Sequence, residues 1–119
     1  MKIRLPFPPS ENGLFATDFR TRRRFKTKAY QAWMAASIAS ICDQGLYGKK
    51  MAEGVVKVDY VLGRPDKRRR DCFNYEKAIS DFLVHAGIIK DDSLIEDGRI
   101  RWGNVTGAEI EIIALDSGE

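Results

Sequence analysis

The stretch Asp71-Cys72-Phe73-Asn74-Tyr75-Glu76-Lys77-Ala78-Ile79-Ser80-Asp81-Phe82-Leu83-Val84-His85-Ala86-Gly87-Ile88 decides how the rest of the chain is read. Tyr75, Ala78, Ile79, Phe82, Leu83 and Ala86 recur at helical spacing, which predicts a helix from about Cys72 to Ala86 with one buried stripe. Asp71 suits the N-cap, because a carboxylate can accept from the free N–H groups of a first turn. Gly87 suits the position just past the C-terminus, with Ile88 folding back onto the last turn.

Strands flank this helix. Val55 to Leu62 carries Val55, Val56, Val58, Tyr60 and Val61, and Gly63-Arg64-Pro65-Asp66 ends it. Downstream, Leu94 to Trp102 reads as a strand with an interruption near Asp97-Gly98. Ala108 to Leu115 reads as another, because Ile110 and Ile112 alternate with Glu109 and Glu111. Asn104 to Gly107 has the composition of a hairpin turn between them.

Towards the N-terminus, Ile3, Leu5 and Phe7 alternate in a short strand that Pro8-Pro9 stops. Pro8 to Arg24 shows no sustained period and reads as an irregular basic loop. Thr27 to Gln44 is helical: Tyr30, Trp33, Met34, Ile38 and Ile41 form its stripe, and Thr27 is the N-cap. Its many alanines favour close packing on a sheet, and Gly45 and Gly48 punctuate its end. The order is β-α-β-α-β-β. The predicted fold class is therefore α/β in the α+β sense, two layers deep, with two helices packed on one mixed sheet. At 119 residues, with no internal repeat, the chain is expected to be a single domain over 1–119.

The net charge of +3 conceals a strong asymmetry. Arg20, Arg22, Arg23, Arg24, Lys26 and Lys28 follow one another with no acid between them. Arg64, Lys67, Arg68, Arg69 and Arg70 share their stretch with Asp66 alone. Such runs suit a polyanion, whose condensed counterions are released as its phosphates are neutralised; a solvated loop is the plainer role for either run alone. The start of the chain lacks the apolar core of a signal peptide, and no apolar run is long enough to span a bilayer. Cys42, Cys72 and His85 have no zinc spacing, and reduced thiols in a cytoplasmic protein are expected.

Phosphodiester hydrolysis needs a hard cation held by oxygen ligands, and gains from a positive charge near the developing negative one. Asp71 and Asp92 have the chemistry for the first need and Lys77 for the second. Each also has an ordinary use: Asp71 as a cap, Lys77 as an exposed helix lysine, Asp91-Asp92 as a solvated turn.

The set Arg68-Arg69-Arg70-Asp71, Asn74, Lys77, Gly87 and Asp91-Asp92, behind an opening Leu5-Pro6-Phe7-Pro8-Pro9-Ser10-Glu11-Asn12, resembles the RusA-type Holliday junction resolvases across essentially the whole chain. The resemblance implies a magnesium-dependent, homodimeric crossover junction endodeoxyribonuclease that resolves four-way DNA junctions by paired symmetric nicks, with no small-molecule cofactor and no membrane partner. Carried over by position, Asp71 and Asp92 are metal-binding aspartates and Lys77 is the essential lysine. Arg20, Arg22, Arg23, Arg24 and Lys26, together with Arg68, Arg69 and Arg70, are expected to contact DNA. The family pattern has a second aspartate two residues after the first, and this chain has Phe73 there. Either the metal is held by Asp71 and Asp92 with added waters, or Asn74 or Asp91 substitutes, or the protein binds junctions with little or no cutting. For Phe73 itself, packing on the helix's apolar face or at a dimer interface is expected before a wedge role against a base.

Overall fold

Alternation along Val56–Leu62 (β4) sets the architecture. Val56, Val58, Tyr60 and Leu62 are buried, and the residues between them are only partly so. β4 is therefore a central strand with one face in the core. The structure is a computed structural model that describes residues 1–51 and 53–115. Its other elements are β1 (Lys2–Leu5), β2 (Phe15–Thr17), β3 (Arg24–Lys26), α1 (Lys28–Asp43), α2 (Glu76–His85), β5 (Ile95–Trp102) and β6 (Ala108–Ala114). The main sheet has the order β1-β6-β4-β5. β4 pairs antiparallel with β6 and parallel with β5, so the sheet is mixed, as expected.

A parallel pair requires a crossover, and α2 lies within it. Ala78, Ile79, Phe82 and Leu83 of α2 enter the core beside Tyr30, Trp33, Met34 and Ile41 of α1. Trp33 meets Phe82 edge to face at 5.7 Å. α1 also protects the edge strand β1: Arg4 N donates to Gln44 Oε1 at 2.8 Å, and Gln44 Nε2 and Ser40 Oγ both donate to Arg4 O. An unpaired edge would otherwise present those groups to another chain.

The caps follow the sequence. Thr27 Oγ1 accepts from Tyr30 N at 3.2 Å, and Gly87 takes φ +74° while Ile88 N returns to Leu83 O. Four expectations need correction. The segment Pro8 to Arg24 is not irregular throughout, because β2 and β3 form a separate antiparallel hairpin within and beyond it. The predicted helix from Cys72 begins as a 3-10 turn over Cys72–Tyr75, and its α-helical part starts at Glu76. Ala32, Ala35, Ala36 and Ala39 face outward while the aromatic stripe packs, so these alanines serve helix propensity. Finally, β5 and β6 are not a hairpin, because β4 lies between them. The connection crosses the end of β4 instead: Gly103 N donates to Leu62 O and Gly63 N to Gly107 O, both at 2.8 Å. A turn-forming tetrapeptide reports that the chain bends, and carries no information on whether its flanking strands pair.

Candidate active site

The N-terminal half of α2 and the loop entering β5 converge above β4. Tyr60 sits beneath them, 2% exposed, with its hydroxyl 2.7 Å from Ser80 Oγ. The Ser80 hydroxyl donates in turn to Glu76 Oε2. A hydroxyl has one proton to give, so Tyr60 must donate to Ser80 while Ser80 donates to Glu76. Burial raises the Tyr60 phenol above its ordinary range, and the charges of Glu76 and Asp92 add to it. Tyr60, Phe73, Glu76 and Asp92 line one recess, closed by Gly98, Arg99 and Ile100 of β5.

A second recess adjoins it through Asp92. Its walls include Lys26 of β3, Tyr30 of α1, Asp81 and His85 of α2, and Asp91. Lys77 Nζ lies 3.7 Å from Asp81 Oδ1, and Asp81 Oδ2 accepts from Tyr30 Oη at 3.4 Å. Burial, then the nearby Asp81 charge, pushes the Tyr30 phenol up to about 12. Two helices and the hairpin root thus meet at one negatively charged wall.

The site residues expected from sequence separate into those the structure brings together and those it does not. Asp91 and Asp92 stand at the recesses; Lys77 lines neither and pairs with Asp81, which lines the second. Asp71 lines neither recess. It caps the 3-10 turn, with Oδ1 accepting from Phe73 N at 3.0 Å. Asn74 is exposed on that turn, and Asp91 Oδ2 accepts from Ser93 Oγ. Phe73 is 69% exposed at the rim, so it does not complete the apolar face of α2. Glu76 was missed, although its signal was present. It lies three residues after Phe73, which places the two side chains on one helical face. Asp81 was missed as well, since its sequence context marks it only as an outward-facing helix residue.

The basic loop before α2 is a folded bracket. Arg70 donates through Nη2 and Nε to Asp66 at 2.7 and 3.2 Å, and Arg68 donates through its backbone N at 3.0 Å and through Nε at 3.2 Å. The Arg70 hydrogen bond, ahead of those from Arg68, holds the Asp66 carboxyl well below the usual carboxylate range. Arg70 Nη1 also reaches Tyr75 Oη at 3.1 Å, and Tyr75 is clustered with Phe7 and Trp102. Arg70 therefore organises the loop, while Arg68 and Arg69 project from it exposed. Arg20, Arg22, Arg23, Arg24 and Lys26 are all exposed on and around the β2–β3 hairpin.

Lys26, at the root of the exposed basic hairpin, borders the recess that holds Asp91 and Asp92. The chain belongs to the RusA endodeoxyribonuclease family: the family described as Endodeoxyribonuclease RusA matches residues 6–113. Similar proteins include the crossover junction endodeoxyribonucleases of Enterobacteria phage 82 and of Escherichia coli strain K12. Each is 34% identical over 119 residues, covering 98% of this chain and 94% of the relative. The Shigella sonnei protein of the same name is 33% identical with the same coverage. These relatives span nearly the full chain, so the matched region includes every residue of both recesses.

Proposed function

We propose that this chain is a magnesium-dependent, homodimeric endonuclease that resolves four-way DNA junctions by paired, symmetric phosphodiester hydrolysis in the cytoplasm. The observation that carries the reading is the recess in which Glu76 and Asp92 face Tyr60 beside the N-terminus of α2, in a chain of this family. The donor set is compatible with the ion. Magnesium keeps several waters and commonly takes only one or two protein carboxylates plus substrate phosphates. No three His, Cys, Asp or Glu side chains come together among the described residues, so a fully protein-enclosed cage is not built. Glu76 and Asp92 would hold the ion, with Asp71, Asp91 and Asn74 as further oxygen donors nearby. When bound, magnesium supplies Lewis acidity to a phosphate oxygen and to the attacking water.

The chain's own residues account for the rest. Ser80 fixes the Glu76 carboxylate by donating to it, and Tyr60 fixes Ser80. The Lys77 ammonium, held near the recess by Asp81, stabilises the extra negative charge of the transition state. Arg68 and Arg69 grip phosphates flanking the cut, and Arg70 holds their loop in shape through Asp66. Such contacts read backbone shape and carry no base sequence. A two-fold dimer presents two identical sites to the two equivalent strands of a junction.

A second reading is a branched-DNA-binding protein that cuts weakly or not at all. The position of Asp71, tied to Phe73 N outside the recess, favours it. A synthetic four-way junction separates the two. The proposed enzyme nicks it only with magnesium, and Asp92→Asn abolishes nicking while sparing junction binding. Nicking by Asp92→Asn at the wild-type rate would overturn the site assignment, and junction binding without nicking by the wild type would establish the second reading.

A further inference from the structure

The β2–β3 hairpin holds a feature that phosphate binding does not explain. Phe19, in its turn, is 96% exposed and is the most exposed large apolar residue of the described chain. The turn beneath it is ordered by hydrogen bonds. Asp18 N donates to Arg23 O at 2.9 Å, Arg22 N to Asp18 O at 2.7 Å, and Arg20 N to Asp18 Oδ1 at 2.8 Å. The root is equally fixed: Phe15 packs edge to face on Tyr30 at 5.7 Å, and the Arg24 guanidinium lies over Phe15 at 3.9 Å. No salt bridge among the described residues takes up Arg20, Arg22, Arg23 or Arg24. A bare aromatic ring amid four guanidiniums without acid partners suits a partner that combines anionic backbone with flat apolar faces, and single-stranded or unstacked DNA has both.

We propose that Phe19 stacks on an unstacked base at the junction while the surrounding arginines hold its phosphates. This rests on the junction-nuclease reading, since it names DNA as the partner. The reach is adequate. Phe15 and Lys26 at the hairpin root line the recess that contains Asp91 and Asp92. Four residues from Phe15 to Phe19, at about 3.3 Å each, span roughly 13 Å. A DNA strand rises about 3.4 Å per nucleotide, so the stacked base lies within about four nucleotides of the cleaved phosphate. Apolar side chains do insert at base steps that are already unstacked, and the centre of a four-way junction offers them.

The test uses the wild-type chain, Phe19→Ala and Phe19→Tyr with EDTA-treated four-way junctions carrying 2-aminopurine at successive positions around the crossover. The wild type should change the fluorescence at one or more positions within about four nucleotides of the crossover. Phe19→Ala should abolish that change and weaken junction affinity about tenfold or more, with duplex affinity unaltered, and Phe19→Tyr should restore both. Phe19→Ala that binds the junction as tightly as wild type overturns the inference and leaves the nuclease reading intact. A smaller sedimenting species for Phe19→Ala also overturns it, by assigning Phe19 to contact between copies of the chain. Failure of the wild type to prefer junction over duplex overturns both readings together.

Discussion

Replacing Ser80 with Ala interrupts the hydrogen-bond chain from Tyr60 to Glu76 at its centre. Ser80 is 3% exposed and Tyr60 2%, so water does not substitute for the lost partner. The Tyr60 hydroxyl becomes a buried donor with no acceptor, at a cost of about 2 kcal/mol. Loss of the hydrogen bond to the half-buried Glu76 adds about 1 kcal/mol, and the better helix propensity of Ala returns about 0.5. The net expectation is a loss of about 2.5 kcal/mol, close to 10 °C in Tm for a domain of this size. Tyr60→Phe leaves Ser80 still donating to Glu76 and should cost about 1 kcal/mol. The double variant has no orphaned donor, so it should lose about 2 kcal/mol rather than the 3.5 expected from addition. Urea unfolding of the four proteins at pH 7 measures this coupling. Magnesium titration by calorimetry supplies a second readout, since freeing a ligating carboxylate from its outer hydrogen bond lowers metal affinity by roughly tenfold. Additivity within about 0.3 kcal/mol would refute the hydrogen-bond chain. Unchanged magnesium affinity in Ser80→Ala would refute its role in holding Glu76.

Other perturbations test separate parts of the structure. The raised tyrosines set the alkaline limit. Tyr30, at about 12 in the fold against 10.0 for the free group, and Tyr60, also raised, stay neutral in the fold while the unfolded chain ionises. The tyrosine contribution should therefore be flat below pH 10 and fall as pH rises through 10 towards 12, and Tyr30→Phe should flatten part of that fall in pH-jump unfolding. Gly63→Ala would place a Cβ 1.8 Å from Val105 O, a backbone atom that cannot move alone. It should cost about 3 kcal/mol in urea unfolding, whereas an effect within about 0.5 would show that the crossing of β4 is loose. Gly87→Ala meets no atom within 4 Å but sits at φ +74°, so it should lose only about 1 kcal/mol.

What the sequence revealed, and what it hid, follows from the range of the interactions involved. The stripe of α2, the Thr27 cap and the Gly87 terminus are set by residues within one or two turns, and local pattern reports them. The mixed sheet followed from a helix between two strands. Its order did not, because β4 takes both β5 and β6 as neighbours through contacts far apart in sequence. The β2–β3 hairpin was hidden because its strands are three residues each, β2 only partly buried and β3 exposed, giving no alternation to detect. At the site, Asp91, Asp92 and Lys77 were marked by a family pattern. Glu76 and Asp81 acquire meaning only from Ser80 on their own helix and from Tyr60 and Tyr30, which two other segments bring to them. The arginine run was legible as charge. That Arg70 is committed to Asp66 and Tyr75, with Arg68 also bonded to Asp66 and Arg69 outward, is a property of the folded bracket.

The departure at position 73 then takes on a different sense. The family pattern places an acid there, and this chain places an exposed phenylalanine. Positions 73 and 76 are a helical turn apart, and both side chains line the recess that contains Asp92. An acid at 76 in place of one at 73 would leave the charge of that wall unchanged, and Ser80 supplies Glu76 with a hydrogen bond that steadies its longer side chain. If this relocation is real, Glu76→Gln should weaken magnesium binding roughly tenfold in a calorimetric titration, comparable with removal of other ligand interactions. Adding Phe73→Asp to that variant should recover most of the affinity, because it returns a carboxylate to the same face. Phe73→Asp alone should bind magnesium at least as well as the wild type. Recovery of neither affinity nor nicking in the double variant would mean that the two positions are not equivalent, and that Glu76 serves the fold through Ser80 rather than the metal.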